Sequence, residues 1–255
     1  MAYDTLLSAT SRHTLTVTLH RPSRRNALDD TMLGELHAAL DAAEGSEDCR
    51  LLVLRGAGGV FCAGMDLEDA AHEIALRSAS GRARFFQLLR RFTMSSCVVV
   101  AIVDGRADGG GVGLAAACDF VFASECARFA LPEALWGLVP SSVLPFLVRR
   151  TGPRLAYAMM LSTLPVDAHK AEQVGLVDAV AEDPEPLLHK LASRVTRIDP
   201  ATIAAAKRSF ARLAPIGDDI EAAAMSELDE LLGSPLVKRA ITRLLGPRRS
   251  LPWEP

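Results

Sequence analysis

Val98-Val-Val-Ala-Ile-Val103, then Asp104-Gly-Arg-Ala-Asp108, then Gly109-Gly-Gly-Val-Gly-Leu-Ala-Ala-Ala117 is the stretch on which the fold turns. The unbroken apolar run reads as a buried strand, and the Ala-rich run after the glycines as a helix. Three adjacent glycines cost backbone entropy, so the chain must gain close approach or unusual dihedrals there. Gly111-x-Gly113-x-x-Ala116 matches a loose dinucleotide fingerprint. Seven residues separate the strand end from Gly111, however, where that fingerprint needs a tight turn, and no full βαβ unit with a well-placed acid follows. Glycines that let a helix pack tightly are the other reading.

Outward from this stretch the same alternation recurs. Before it lie a strand at Leu15–His20, an amphipathic helix at Asp29–Glu44, a strand at Leu51–Arg55 and a long helical pattern at Asp69–Phe92. Asp29 or Asp30 is placed to cap the first helix, whose Met32, Leu33, Leu36 and Leu40 form one stripe. After it comes a strand at Asp119–Ala123. Beyond Pro140 the pattern is almost wholly helical, at 141–150, 153–162, 167–174, 184–198, 200–213, 216–232 and 235–245. This predicts a β-containing core with a trailing helical region: residues 1–200 as the core, 201–255 as C-terminal helices and tail. Gly246–Pro255 is too Pro-rich to be helical and is expected on the surface or against a neighbour.

Composition removes several classes of function. The chain has 255 residues, 49% hydrophobic and 23% charged, so it can bury a full core. A net charge of −3 provides no overall positive field for a phosphate backbone, and aromatics at 5% provide few stacking platforms, so nucleic acid is excluded as the main partner. The N-terminus lacks the continuous apolar run of a signal peptide, and nothing approaches the ~18 apolar residues of a membrane span, which predicts a cytoplasmic protein with no membrane partner. Five cysteines without a Cys-x-x-Cys pair and six scattered histidines predict reduced thiols and no metal site.

Three motifs carry candidate chemistry. Phe61-Cys-Ala-Gly-Met-Asp-Leu67 follows a strand and a Gly-rich turn, where outward backbone N–H groups can hold a phosphate or a developing oxyanion; an ordinary strand-to-helix turn fits equally. No Gly-Lys-Ser/Thr follows, which removes a phosphate-loop ATPase. In Leu131-Pro-Glu-Ala-Leu-Trp-Gly137, Glu133 is an acid among apolar neighbours, suited to a raised pKa, and also a favourable first-turn residue. Arg21-Pro-Ser-Arg-Arg25 is a basic cluster fit for an anion at a pocket mouth or for a solvated loop.

In this order, with Arg-Pro-x-x-x-Asn-Ala-Leu at 21–28, these motifs resemble the enoyl-CoA hydratase/isomerase (crotonase) superfamily, over about Leu15 to Phe210. The resemblance implies an α/β crotonase (ClpP-like) ββα spiral core with a C-terminal helical trimerisation region. It also implies a substrate carried as a thioester on phosphopantetheine or CoA, no other cofactor, and a homotrimer or hexamer. Carried over by motif, the backbone N–H groups of Met65 and Gly110 form the oxyanion hole, Glu133 is the catalytic carboxylate, and Ala63, Arg21, Arg24 and Arg25 lie along the pantetheine or carrier. Asp66 and Asp108 are auxiliary candidates or helix caps.

The family's earlier glutamate falls on Gly113. That departure, with Val143-Leu-Pro-Phe-Leu147 before Arg149-Arg150, Glu185-Pro-Leu-Leu188 and Pro252-Trp-Glu254, resembles the crotonase-like dehydratases of polyketide β-branching. It implies loss of water from a 3-hydroxy-3-methylglutaryl group on an acyl carrier protein, giving a 3-methylglutaconyl thioester that a sister enzyme decarboxylates. The glycine at 113 is expected to leave room for the branching methyl. A catabolic hydratase or isomerase of CoA esters, a decarboxylating homologue and a non-catalytic binding module are the competing readings.

Overall fold

The computed structural model describes residues 3–66 and 80–245. Two sheets form its centre. The larger has the order β1-β2-β3-β5-β7-β10, with strands β1 (Leu6–Ser11), β2 (Thr14–Leu19), β3 (Leu51–Gly56), β5 (Val98–Val103), β7 (Phe120–Ser124) and β10 (Ala179–Ala181). The smaller has the order β4-β6-β8-β9, with β4 (Val60–Cys62), β6 (Arg106–Asp108), β8 (Arg128–Ala130) and β9 (Val166–Asp167). From β2 to β10 the larger sheet is parallel. Each round places one strand in the large sheet and the next in the small one, which is the expected ββα spiral.

β5 lies between β3 and β7 and all six of its residues are buried, so a strand covered on both faces needs no polar alternation. The strands absent from the sequence reading are the short ones of the small sheet, β4, β6 and β8, of three residues each, together with β1 and the brief β9 and β10. Three-residue strands carry too little periodicity to stand out. The leading strand is displaced to Thr14–Leu19 because it pairs antiparallel with β1, whose residues past Leu6 are exposed and show no apolar alternation.

Helix α1 (Asp30–Glu44) is capped by Asp29, whose Oδ1 accepts the Met32 N–H at 2.8 Å. Of the helix expected at 69–92, α2 (Ser80–Phe92) is described and 69–79 lies outside the described residues, as does the tail from Gly246. Helix α3 (Gly110–Ala117) is buried along its whole length. A Cβ on Gly111 would sit 2.4 Å from the carbonyl oxygen of Cys62, so glycine there lets α3 press directly onto β4.

The helical half runs α4 (Leu144–Thr151), α5 (Pro153–Ser162), α6 (Ala168–Gln173), α7 (Glu185–Val195), α8 (Pro200–Leu213), α9 (Asp218–Gly233) and α10 (Pro235–Leu245). The boundary expected at 200 marks no break at the site, because α9 and α10 fold back over the core. Arg90 of α2 pairs with Asp218 and Glu221 of α9, and Leu228, Leu232 and Ile241 close one cavity. No described helix is long and apolar enough to cross a membrane.

Candidate active site

A cavity of about 370 Å³ gathers the N-terminus of α3, the turn after β4, the 3₁₀ turn at Glu133–Trp136 and the returning C-terminal helices. Ala63, Gly64, Met65, Asp108, Gly110 and Glu133 all line it, so residues widely separated in sequence meet in one chamber.

Loop 63–66 is fastened to the segment before α1 by an isolated parallel bridge between Leu28 and Met65. Leu28 N–H donates to Gly64 O at 2.8 Å, Asp66 N–H to Leu28 O at 2.8 Å and Ala63 N–H to Arg25 O at 3.1 Å. In such a bridge the flanking Gly64 carbonyl and Asp66 N–H face Leu28, so the Met65 N–H is turned away from this pairing. Gly110 opens α3, and its N–H has no acceptor within the helix. The two backbones approach closely: Gly64 has φ +88°, and a Cβ there would lie 2.9 Å from Asp108 O and 3.2 Å from Gly110 N. Only glycine fits that combination of dihedral and contact.

The Arg-Pro-x-x-x-Asn-Ala-Leu motif acts through this scaffold. Asn26 is fully buried, and its Nδ2 donates to Ala57 O at 2.9 Å and Val60 O at 2.7 Å, fastening the segment to the turn before β4. Arg21, expected along the carrier, is turned into the fold instead. Its Nη1 donates to Ala27 O at 2.6 Å and its Nη2 pairs with Asp29 at 3.0 Å and Asp66 at 3.1 Å. The same pair removes Asp66 as an auxiliary acid: it is buried against Arg21 and is absent from the cavity lining. Arg24 and Arg25 are exposed, and Arg25 stands on the cavity rim.

Glu133 follows Pro132 at the start of the 3₁₀ turn. A Cβ on Gly109 would meet its Oε1 at 2.7 Å, so the carboxyl lies directly against the glycine cluster. Its Oε2 is buried with no hydrogen-bond partner among the described residues. Burial pushes the Glu133 pKa up to about 7, with the nearby Asp108 charge adding to the shift. The Asp108 carboxyl is itself raised by burial, against the pull of Arg106, whose Nη2 lies 2.9 Å from Asp108 Oδ2. A carboxyl poised near neutrality beside outward N–H donors suits proton transfer next to a stabilised oxyanion.

Gly113 gives no room for a substrate methyl. A Cβ there would lie 2.9 Å from Val143 Cγ2, 3.1 Å from Phe85 and 3.3 Å from Leu89, and Gly113 does not line the cavity. The space released by the missing glutamate is filled by these side chains. Trp136, expected among the apolar surroundings of Glu133, lines the cavity with it, whereas sequence reasoning missed Phe85 and the wall from α9 and α10; their apolar character was visible, but not which neighbour they face.

The sequence model of the enoyl-CoA hydratase/isomerase family matches residues 10–229. The bacillaene synthase dehydratase PksH of Bacillus subtilis is 31% identical over 240 residues, covering 93% of this chain and 92% of that protein. The 2,3-dehydroadipyl-CoA hydratase of Escherichia coli is 34% identical over 209 residues, 80% of this chain and 81% of that protein. Among solved structures, a putative polyketide biosynthesis enoyl-CoA hydratase (pksH) from Bacillus subtilis superposes with a TM-score of 0.90 at 29% identity, covering 98% of this chain and 100% of that one.

Proposed function

The chain belongs to the enoyl-CoA hydratase/isomerase family, and from that premise we propose that it dehydrates a 3-hydroxy-3-methylglutaryl thioester on an acyl carrier protein to the 3-methylglutaconyl thioester. One observation carries this reading: among the described residues the cavity holds a single glutamate, Glu133, with its pKa pushed up to about 7, while the family's second glutamate position is a glycine sealed under Val143 and Phe85. Hydration of an unbranched enoyl thioester by two glutamates is then out of reach. Loss of a tertiary hydroxyl, which leaves more readily than a secondary one, asks less of the protein.

In this mechanism the Glu133 carboxylate takes the proton from C2. The electron pair moves onto the thioester carbonyl, and the resulting enolate oxygen accepts hydrogen bonds from Met65 and Gly110 N–H, each such donor being worth roughly 3 kcal/mol. The enolate collapses as the C3–O bond breaks. Glu133 returns its proton to the departing hydroxyl, and water leaves from the same face. Asp108 raises the basicity of Glu133 through its charge. Arg25 at the rim, with Arg24 outside, meets the phosphate and the acidic carrier.

The chain is further proposed to assemble as a trimer or hexamer, since Tyr157, Leu161, Leu164, Phe210 and Leu213 leave large apolar side chains exposed on the helical half. Sedimentation of a monomer at micromolar concentration would remove that part. For the reaction itself, the purified protein is incubated with 3-hydroxy-3-methylglutaryl carrier protein and the mass of the pantetheine arm is followed. Loss of one water supports the reading; no loss there, with brisk hydration of crotonyl-CoA, assigns the chain to CoA-ester catabolism instead.

A further inference from the structure

Beyond the carboxylates and the loop backbone, the cavity is lined largely by apolar side chains from α1, α2, the 3₁₀ turn and the C-terminal helices. Arg82, near the start of α2, stands among them with its side chain only 14% exposed. Among the described residues the other basic lining side chains, Arg25 and Arg106, are exposed, and Arg106 is engaged with Asp108. Arg82 Nη2 is braced at 2.6 Å by Asp229 Oδ1 of α9.

Tying α2 to α9 does not by itself account for a cation in this position, because Arg90 already joins the same two helices from a more exposed site. Placing a guanidinium in an apolar chamber is costly unless it meets an anion. A guanidinium has five N–H donors in a rigid fork, enough to hold the Asp229 carboxylate and a second carboxylate together. The geometry points to Arg82 as the residue that receives a carboxylate at the far end of the acyl group. The substrate class is therefore an acyl thioester ending in a carboxylate, and a plain fatty acyl chain would bring its methyl end against the Arg82–Asp229 ion pair. This rests on the acyl-thioester reading above and adds the specificity residue that reading lacks.

The test uses two unreactive five-carbon thioesters, glutaryl-CoA and pentanoyl-CoA, that differ by carboxylate against methyl, with binding to the full chain followed by calorimetry. The parent is expected to bind glutaryl-CoA more tightly. Arg82→Met is expected to weaken glutaryl-CoA by roughly 10- to 100-fold, the range for a charge-assisted hydrogen-bonded pair, and pentanoyl-CoA by no more than a few-fold. Arg82→Lys, which keeps the charge but not the fork, should lie between them and serves if the Met variant does not fold. Equal binding of both ligands by the parent, or equal weakening of both by either variant, would overturn the assignment. Neither measurement needs turnover. Glutaryl preference without water loss from the 3-hydroxy-3-methylglutaryl carrier would therefore retain Arg82 as the carboxylate site while removing the proposed dehydration.

Discussion

At the N-terminal end of α3, Glu133 is half-buried, its Oε2 buried with no partner among the described residues, and the Gly110 N–H has no acceptor within the helix. At the C-terminal end, Lys207 is buried, yet its Nζ meets Asp119 at 2.6 Å, Phe92 O at 2.9 Å and Cys97 O at 2.8 Å, while Asp119 also accepts the Val99 N–H at 2.7 Å. One helix thus separates the candidate site, whose polar groups lack partners among the described residues, from a structural cluster whose polar groups are satisfied. Unmatched buried polarity is costly, so the end of the helix that keeps it is the one where the proposed substrate would supply the partner.

The sharpest way to break this contrast is Glu133→Gln. Turnover should fall by about 10²- to 10⁴-fold, measured on the carrier-bound substrate. Stability should move the other way. The folded Glu133 pKa lies above its unfolded value, so the stability linked to this group is complete below about pH 4.5 and is lost as pH rises through about 7. Glutamine does not ionise, so denaturant melts should show the variant gaining on the parent with rising pH, by up to about 3 kcal/mol above pH 7. A variant less stable than the parent at pH 8 would show that the carboxylate is matched after all.

Lys207→Met probes the satisfied end. It strands Asp119 and two buried carbonyl oxygens and should cost about 3 to 5 kcal/mol in denaturant unfolding, while kcat of the folded fraction changes little. A small loss of stability would erase the distinction between the two ends. Gly113→Glu, which writes back the family's second glutamate, should not create a hydratase. Its side chain meets Val143, Phe85 and Leu89 at once, and overpacking of that kind costs about 1 to 3 kcal/mol before any charge is buried. Crotonyl-CoA hydration rising in that variant would show that the pocket under Gly113 opens.

The smallest effect is expected from Asp108→Asn. Glu133 begins the reaction ionised, so kcat/KM should rise with pH through about 7 in the parent. Removing the Asp108 charge lowers the Glu133 pKa and moves that limb to lower pH. An unmoved profile would deny the coupling between the two carboxyl groups.

Much of this was legible in the residues themselves. The run Val98–Val103 reads as a buried strand because a strand enclosed on both faces has no polar register to keep, and Asp29 caps α1 because a side-chain oxygen must meet the first orphan N–H groups. The glycine triplet and the acid after Pro132 stand out as the places on which the proposed chemistry rests, though the residues alone also allow tight helix packing and a first-turn acid. The rest depended on long-range contacts. That Arg21 and Asp66 neutralise each other inside the fold, that Val143 fills the space above Gly113, and that Leu228, Leu232 and Ile241 roof the cavity while Arg82 stands within it follow from which elements the spiral brings together. Local sequence determines dihedral preference and the apolar face of each helix or strand; which charge meets which, and which wall closes on the substrate, is decided by packing between residues far apart in the chain, and no local pattern encodes it.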